Sequence, residues 1–410
     1  MTTSEAHATF VAWDDLPYLP VSDPVFSVQS DAVRQARAGG PFARTPYGLA
    51  VLRYAEVNKL IKDRRLRQGS WAWPRHNGVE GSFADWWTGW LLNMEGDDHA
   101  RLRRLLNPAF APKALQAMSP RFVALANELV DGFAPTGECE YVSQFAEPYA
   151  ARVICILLGL PEEDWEELAR CSATIGLSLG VTFQEELPKI EAALQTLFSY
   201  CDAVIADRRA NPRDDFATAL VQATEAGDRL TATELRNSMA LMVFGGFDTT
   251  RNQLGLAITT LAQYPDQWKL LGEDPSLGKA AVEEVMRVNP TTTWVTREAL
   301  EDIEYEGLTI PAGTTVHMFA ESAGTDPARF DDPSFDITTE GRPPHFGFGA
   351  GAHHCIGHFI ARLDMSVALP ILAARMPDMR IGDGADWMPL SGNTGPNRLP
   401  LLFTPTYGVA

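Results

Sequence analysis

One cysteine lies in a run of glycines and histidines, Phe348-Gly349-Ala350-Gly351-Ala352-His353-His354-Cys355-Ile356-Gly357. The apolar run behind it, Phe359-Ile360-Ala361-Arg362-Leu363, reads as a helix start. Glycines 349, 351 and 357 permit positive φ and let backbone approach something bulky and flat. A thiolate at the mouth of a helix is favoured by free N–H groups and by the helix dipole. A thiolate so held can serve as the axial ligand of a haem iron. Two other uses of Cys355 stand beside this one: a zinc site with His353, His354 and His358, or an inert buried thiol. Zinc sites usually pair cysteines at set spacings, and no C-x-x-C occurs here.

A second group with chemical potential is Gly245-Gly246-Phe247-Asp248-Thr249-Thr250. It falls inside a long predicted helix that opens at the capping box Thr231-Ala232-Thr233-Glu234 and runs to about Tyr264, before Pro265. Each glycine inside a helix costs about 1 kcal/mol relative to alanine, so the pair needs a reason. A Thr249 hydroxyl bonding back to the Gly245 carbonyl would notch the helix. Dioxygen on an iron could lie in that notch, with Thr249 passing protons and Asp248 connecting to solvent. The alternative is a plain kink packed closely on a neighbour.

Three more patterns accompany these. His99 and Arg103 are four apart and share a helix face, as do Glu284 and Arg287, three apart. Trp71, Trp73, Phe83, Trp86, Trp87 and Trp90 crowd one short stretch. Rings so dense must line a pocket or fill core.

The match to F-G-x-G-x-H-x-C-x-G makes the cysteine loop resemble the haem-binding loop of the cytochrome P450 family. The resemblance spans nearly the whole chain, in order: His99/Arg103, the helix 231–264, Glu284/Arg287, Arg297 and the cysteine loop. It implies a mainly α fold with small β-sheets, a single large domain over 1–410 with 1–25 as an irregular arm. It implies haem b (iron protoporphyrin IX) on the Cys355 thiolate, within a loop that includes Phe348, Gly349 and Gly357. It assigns the propionates to His99, Arg103, Arg297 and His353, and gives Glu284 and Arg287 a structural role. It places Trp86, Trp87, Trp90, Val243, Gly246, Phe247, Thr293, Trp294, Val295, Asn393 and Thr394 at the substrate pocket. Two departures stand out: Gly324 and Thr325 replace the usual Asn and Arg, and Glu95-Gly96-Asp97-Asp98 lacks the usual proline pair.

The resemblance implies a monooxygenase using dioxygen on a small to medium apolar or aromatic molecule, by hydroxylation or O-demethylation. Electrons would come from a ferredoxin and its NAD(P)H-dependent reductase, docking near Arg101, Arg104, Arg342 and Arg362. A peroxide-driven peroxygenase or isomerase, and a haem-based sensor or carrier, are the rival readings. Retention of Asp248-Thr249 counts against the first, and the lack of a visible signalling module against the second.

These groups need elements to hold them. Tyr47–Leu52 followed by Tyr54–Val57 reads as a strand running into a helix, and most of 98–272 as helix. Strands are expected at Ile303–Tyr305 and Thr314–Met318 around the turn at Ile310–Gly313. Of 410 residues, 45% are hydrophobic and 21% charged, as in globular enzymes. A net charge of −19 argues against nucleic acid or an anionic membrane as partner. No apolar run is long enough to span a bilayer, and Met1–Glu5 lacks a secretory start. Five scattered cysteines suit a reducing cytoplasm.

Overall fold

The computed structural model describes residues 12–179, 183–223 and 230–406, so the start Met1–Glu5 lies outside the described residues. What is described of the expected N-terminal arm holds a short 3-10 turn at Trp13–Asp15 and a bridge from Tyr18 to Arg44. The chain is mainly helical, with small sheets, as expected. Among the described residues no helix is long and apolar enough to cross a membrane.

The longest helix, Ala232–Leu261, runs through the main hydrophobic core. Its capping box forms: Thr231 Oγ1 accepts from the Glu234 N–H at 3.1 Å, and Glu234 Oε2 accepts from the Thr231 N–H at 2.7 Å. Glu234 also pairs with Arg101, tying the start of this helix to the helix Gly96–Leu106 that carries His99 and Arg103. Helices Glu147–Leu158, Trp165–Gly176 and Phe183–Ala210 pack along it.

A five-stranded sheet flanks the helices in the order Phe42–Thr45, Gly48–Val51, Thr315–Phe319, Trp294–Ala299, Leu66–Gln68. Gly48–Val51 leads into the helix Tyr54–Leu60, as its sequence predicts. Successive residues of Trp294–Ala299 face opposite sides. Trp294 stacks on Phe319 at 5.5 Å in the cluster around the N-terminal segment. Val295 and Arg297 take the other face, where Gln68 lies directly across from Arg297.

Glu284 and Arg287 of the helix Gly278–Val288 are both almost fully buried and joined by two bonds of 2.8 and 2.6 Å. The guanidinium also donates to the carbonyls of Gly324, Pro333 and Ser334. Arg342 closes on the same carboxylate at 3.1 Å. Arg342 therefore turns inward and belongs to this lock, not to a docking face. Gly324 is required, because a Cβ there would overlap the Arg287 carbonyl. Thr325 accepts from the buried Arg37 at 2.9 Å. The departure at 324 and 325 is thus explained by local packing.

Candidate functional site

The cysteine loop is built as its glycines require. Gly349 and Gly351 have φ of 63° and 71°, in the left-handed region that favours glycine. Gly357 differs from expectation: its φ is −82°, an ordinary value for any residue. Its contribution is the backbone N–H, which favours the thiolate form of Cys355. The loop closes through Cys355 N–H to the Phe348 carbonyl at 3.0 Å, and the helix His358–Arg375 follows. Burial pushes the Cys355 thiol up, while the Gly357 N–H, Arg103 and Arg362 pull it back toward thiolate.

His99, Arg103, Arg297 and His353 come together around this loop. The rings of His99 and His353 lie 4.3 Å apart, and Arg103 donates to the His354 carbonyl at 2.8 Å. Arg297 is 3% exposed and its guanidinium is pushed down to about 10 by burial, with Glu95 the opposing charge. Its own hydrogen bonds go to the neutral Gln68 side chain and the Thr296 carbonyl. A buried cation so placed fits an anionic group. Sequence reasoning missed Gln68 and Glu95 as neighbours here. Glu95 accepts from the Gln68 N–H at 2.9 Å and lies 3.1 Å from His353 Nε2. Burial would raise its carboxyl, but His353, the Gln68 N–H and Arg297 outweigh that and hold it at about 2. Only the departure at 95–98 hinted at it.

Thr249 Oγ1 donates to the Gly245 carbonyl at 2.8 Å, forming the expected back-bond. Thr249 is exposed on a helix whose neighbouring turns are buried. Asp248 does not open to solvent. It is 6% exposed, with Oδ2 accepting from Asn393 Nδ2 at 2.5 Å and Asn252 Nδ2 at 3.2 Å.

Several residues expected at a pocket are buried against neighbouring elements. Trp86, Trp87 and Trp90 are each 2% exposed or less and form one aromatic cluster with Phe83 and Phe244. Phe247 packs on Ala150, Ala151 and Ala169. Val243 is buried beside it, lining the same side as Ile154 and Leu168. Gly246 abuts Ile154, Trp294 faces the N-terminal cluster and Asn393 is spent on Asp248. For the residues on helices and strands, periodicity sets which of them face a neighbouring element. Thr293 stays buried with an unpartnered hydroxyl, and Val295 and Thr394 are partly exposed. Among the described residues no group of three or more His, Cys, Asp or Glu side chains could hold a metal ion, which leaves a zinc site without donors.

The cytochrome P450 profile matches residues 176–274 and 276–374. Luteothin monooxygenase of Streptomyces thioluteus is 39% identical over 98% of this chain and 99% of its own length. The chain belongs to the cytochrome P450 family. Mycinamicin IV hydroxylase/epoxidase of Micromonospora griseorubida is 35% identical over 83% of this chain and 85% of its own. The crystal structure of CalO2 superposes with a TM-score of 0.84 at 30% identity, covering 93% of this chain and 99% of that one. A cytochrome P450 carries haem on a cysteine thiolate, and the thiol, the N–H facing it and the grouped cations fit that cofactor. This chain is therefore an enzyme of the monooxygenase family.

Proposed function

We propose that this cytochrome P450 inserts one atom of dioxygen into a C–H bond of a small to medium apolar molecule, by hydroxylation or O-demethylation, with haem b as cofactor. The observation that carries the reading is the Thr249 hydroxyl bonded to the Gly245 carbonyl, one residue from the buried acid Asp248. When bound, the haem supplies dioxygen activation and accepts the electrons. Cys355 would ligate the iron, and His99, Arg103, Arg297 and His353 would hold the propionates. Thr249 would hand protons inward and Asp248 would replenish them. Separate ferredoxin and reductase proteins would deliver electrons in the cytoplasm. Arg104 and Arg362 remain candidates for that docking face, Arg104 being exposed and Arg362 paired with Glu283.

Retention of Asp248 and Thr249 favours dioxygen over peroxide as oxidant. The hydroxylase/epoxidase name of the Micromonospora relative supports oxygen insertion. The tryptophan cluster lends no support to an aromatic substrate, because it is spent on core.

The test is the reduced carbon monoxide difference spectrum of the haem-loaded protein. A strongly red-shifted Soret band, abolished in Cys355→Ala, is the expected result; a histidine-type spectrum would refute the reading. A type I spectral-shift screen against diverse apolar compounds then identifies the substrate.

A further inference from the structure

Asp248 is wedged between three elements. Its own helix contributes Asn252 and Arg251, the latter 4.0 Å from Oδ1. The helix Trp165–Gly176 ends against it at Gly176, where a Cβ would lie 3.8 Å from Oδ1. The third element is the loop Ser391–Thr394, which presents Asn393.

The two amides are fixed in orientation by their other contacts. Arg251 donates to Asn252 Oδ1 at 2.8 Å, so the Asn252 nitrogen turns to Asp248. The Thr291 hydroxyl lies 2.6 Å from Asn393 Oδ1 and 2.8 Å from the Thr394 carbonyl. The Thr291 N–H in turn bonds Gln253 Oε1 at 2.7 Å, returning to the long helix. A closed circuit thus runs Asp248, Asn393, Thr291, Gln253. An ionised carboxylate only accepts, so each amide must offer it N–H.

We propose that Asn393 is a positioning residue for Asp248: its side-chain amide holds the carboxylate in one orientation and ties the loop Ser391–Thr394 to the proton-carrying segment of the long helix. The proposal rests on the proton-relay reading of Asp248 and Thr249. The shorter of the two amide bonds comes from the loop, at 2.5 Å against 3.2 Å from Asn252. The loop therefore makes the tighter grip on the acid. A shift of the loop alters both the direction in which Asp248 points and its affinity for a proton.

Charges around the acid are few. Arg251 faces it, and behind Arg251 stands Glu147 of the helix Glu147–Leu158 at 3.8 Å. The helix end at Gly176 and the loop bring no charge to it. Burial raises the Asp248 carboxyl, while Arg251, Asn393 and Asn252 work in the other direction. Loss of the Asn393 donor leaves burial less opposed.

The experiment uses the haem-loaded enzyme with a heterologous ferredoxin, its reductase and NADPH, with no organic substrate added. Dioxygen then goes to hydrogen peroxide or, with twice the electrons and protons, to water. The fraction of electrons recovered as hydrogen peroxide is read across the whole pH range over which the haem-loaded enzyme keeps its carbon monoxide spectrum, in water and in deuterium oxide. Asn393→Ala should move the pH limb upward by about one unit, a tenfold rise in the proton affinity of the acid. Asn393→Asp keeps the size of the side chain but sets a second carboxylate against Asp248, and should move the limb further. Asp248→Asn, which removes the titrating group, should abolish the limb. The carbon monoxide spectrum of each variant verifies the fold. If Asp248→Asn changes the profile and both Asn393 variants match wild type, the positioning role is refuted and the relay stands. If Asp248→Asn leaves profile and isotope effect unchanged, the relay reading fails and the proposal with it.

Discussion

Gly246 lies against Ile154 so closely that a Cβ on it would overlap the isoleucine side chain, whereas one on Gly245 would meet only Leu241 Cδ1, at 3.6 Å. The adjacent glycines therefore have different reasons to exist. Gly246 allows the helix Glu147–Leu158 to approach the long helix. Gly245 leaves room beside the carbonyl that Thr249 bonds. Gly246→Ala should destabilise the protein by about 1–3 kcal/mol through overpacking, and Ile154→Val should recover part of the loss. Gly245→Ala should be neutral or stabilising by up to about 1 kcal/mol. Equal effects at both positions, by denaturant unfolding, would contradict this division.

Trp90 is 1% exposed and stacks on Phe244 at 5.7 Å. As a core residue, Trp90→Ala should cost about 3–5 kcal/mol. A pocket-lining ring would instead give little change in unfolding midpoint and a broader response in the spectral-shift screen.

Removing one partner of a buried ion pair leaves an uncompensated charge and costs about 3–5 kcal/mol. Arg287→Ala should incur a loss of that order and impair haem incorporation. Arg287→Lys should rescue poorly, because one ammonium cannot replace a guanidinium that binds Glu284 and three carbonyls. Haem content and unfolding midpoint measure both.

His317 is 6% exposed, and burial alone pushes its imidazole down to about 4 from 6.5. The unfolded chain then binds the proton more readily than the folded one. Stability is whole above about pH 6.5 and declines as pH falls toward 4. His99 and His358, also held at about 4, act in the same direction. His317→Leu should shrink the loss between pH 7 and pH 5 in denaturant titrations; an undiminished loss would exclude His317 as a source.

Thr249→Ala removes the hydroxyl while leaving the helix free to straighten. With an identified substrate, electron consumption should continue and product per NADPH should fall several-fold, the remainder appearing as hydrogen peroxide. Thr249→Ser, which keeps the donor to Gly245, should restore most of the coupling. Unchanged coupling in Thr249→Ala would exclude a role in proton delivery.

The family was legible in the sequence because its signals are local. The cysteine loop, the capping box at Thr231 and the Thr249 back-bond depend on residues within a few positions of each other. Backbone stereochemistry and hydrogen bonding along one segment set them without reference to the rest of the fold. The burial of Glu284 and Arg287 was expected from the family pattern, but its partners at 324, 333 and 334 were not in the spacing.

Which face of an element meets which neighbour was decided only by tertiary structure. Trp86, Phe247 and Trp294 carry side chains as suitable for a pocket as for core, and their type alone does not separate the two. Rotation of each helix and strand about its axis settles the matter, and that rotation is fixed by the summed burial of the whole element. Asn393 and Asp248 are 145 residues apart. Their contact exists because the buried carboxylate must find donors, and the fold supplies one from a distant loop. Sequence determined the thiol, the hydroxyl and the acid; the fold decided what holds the acid in place.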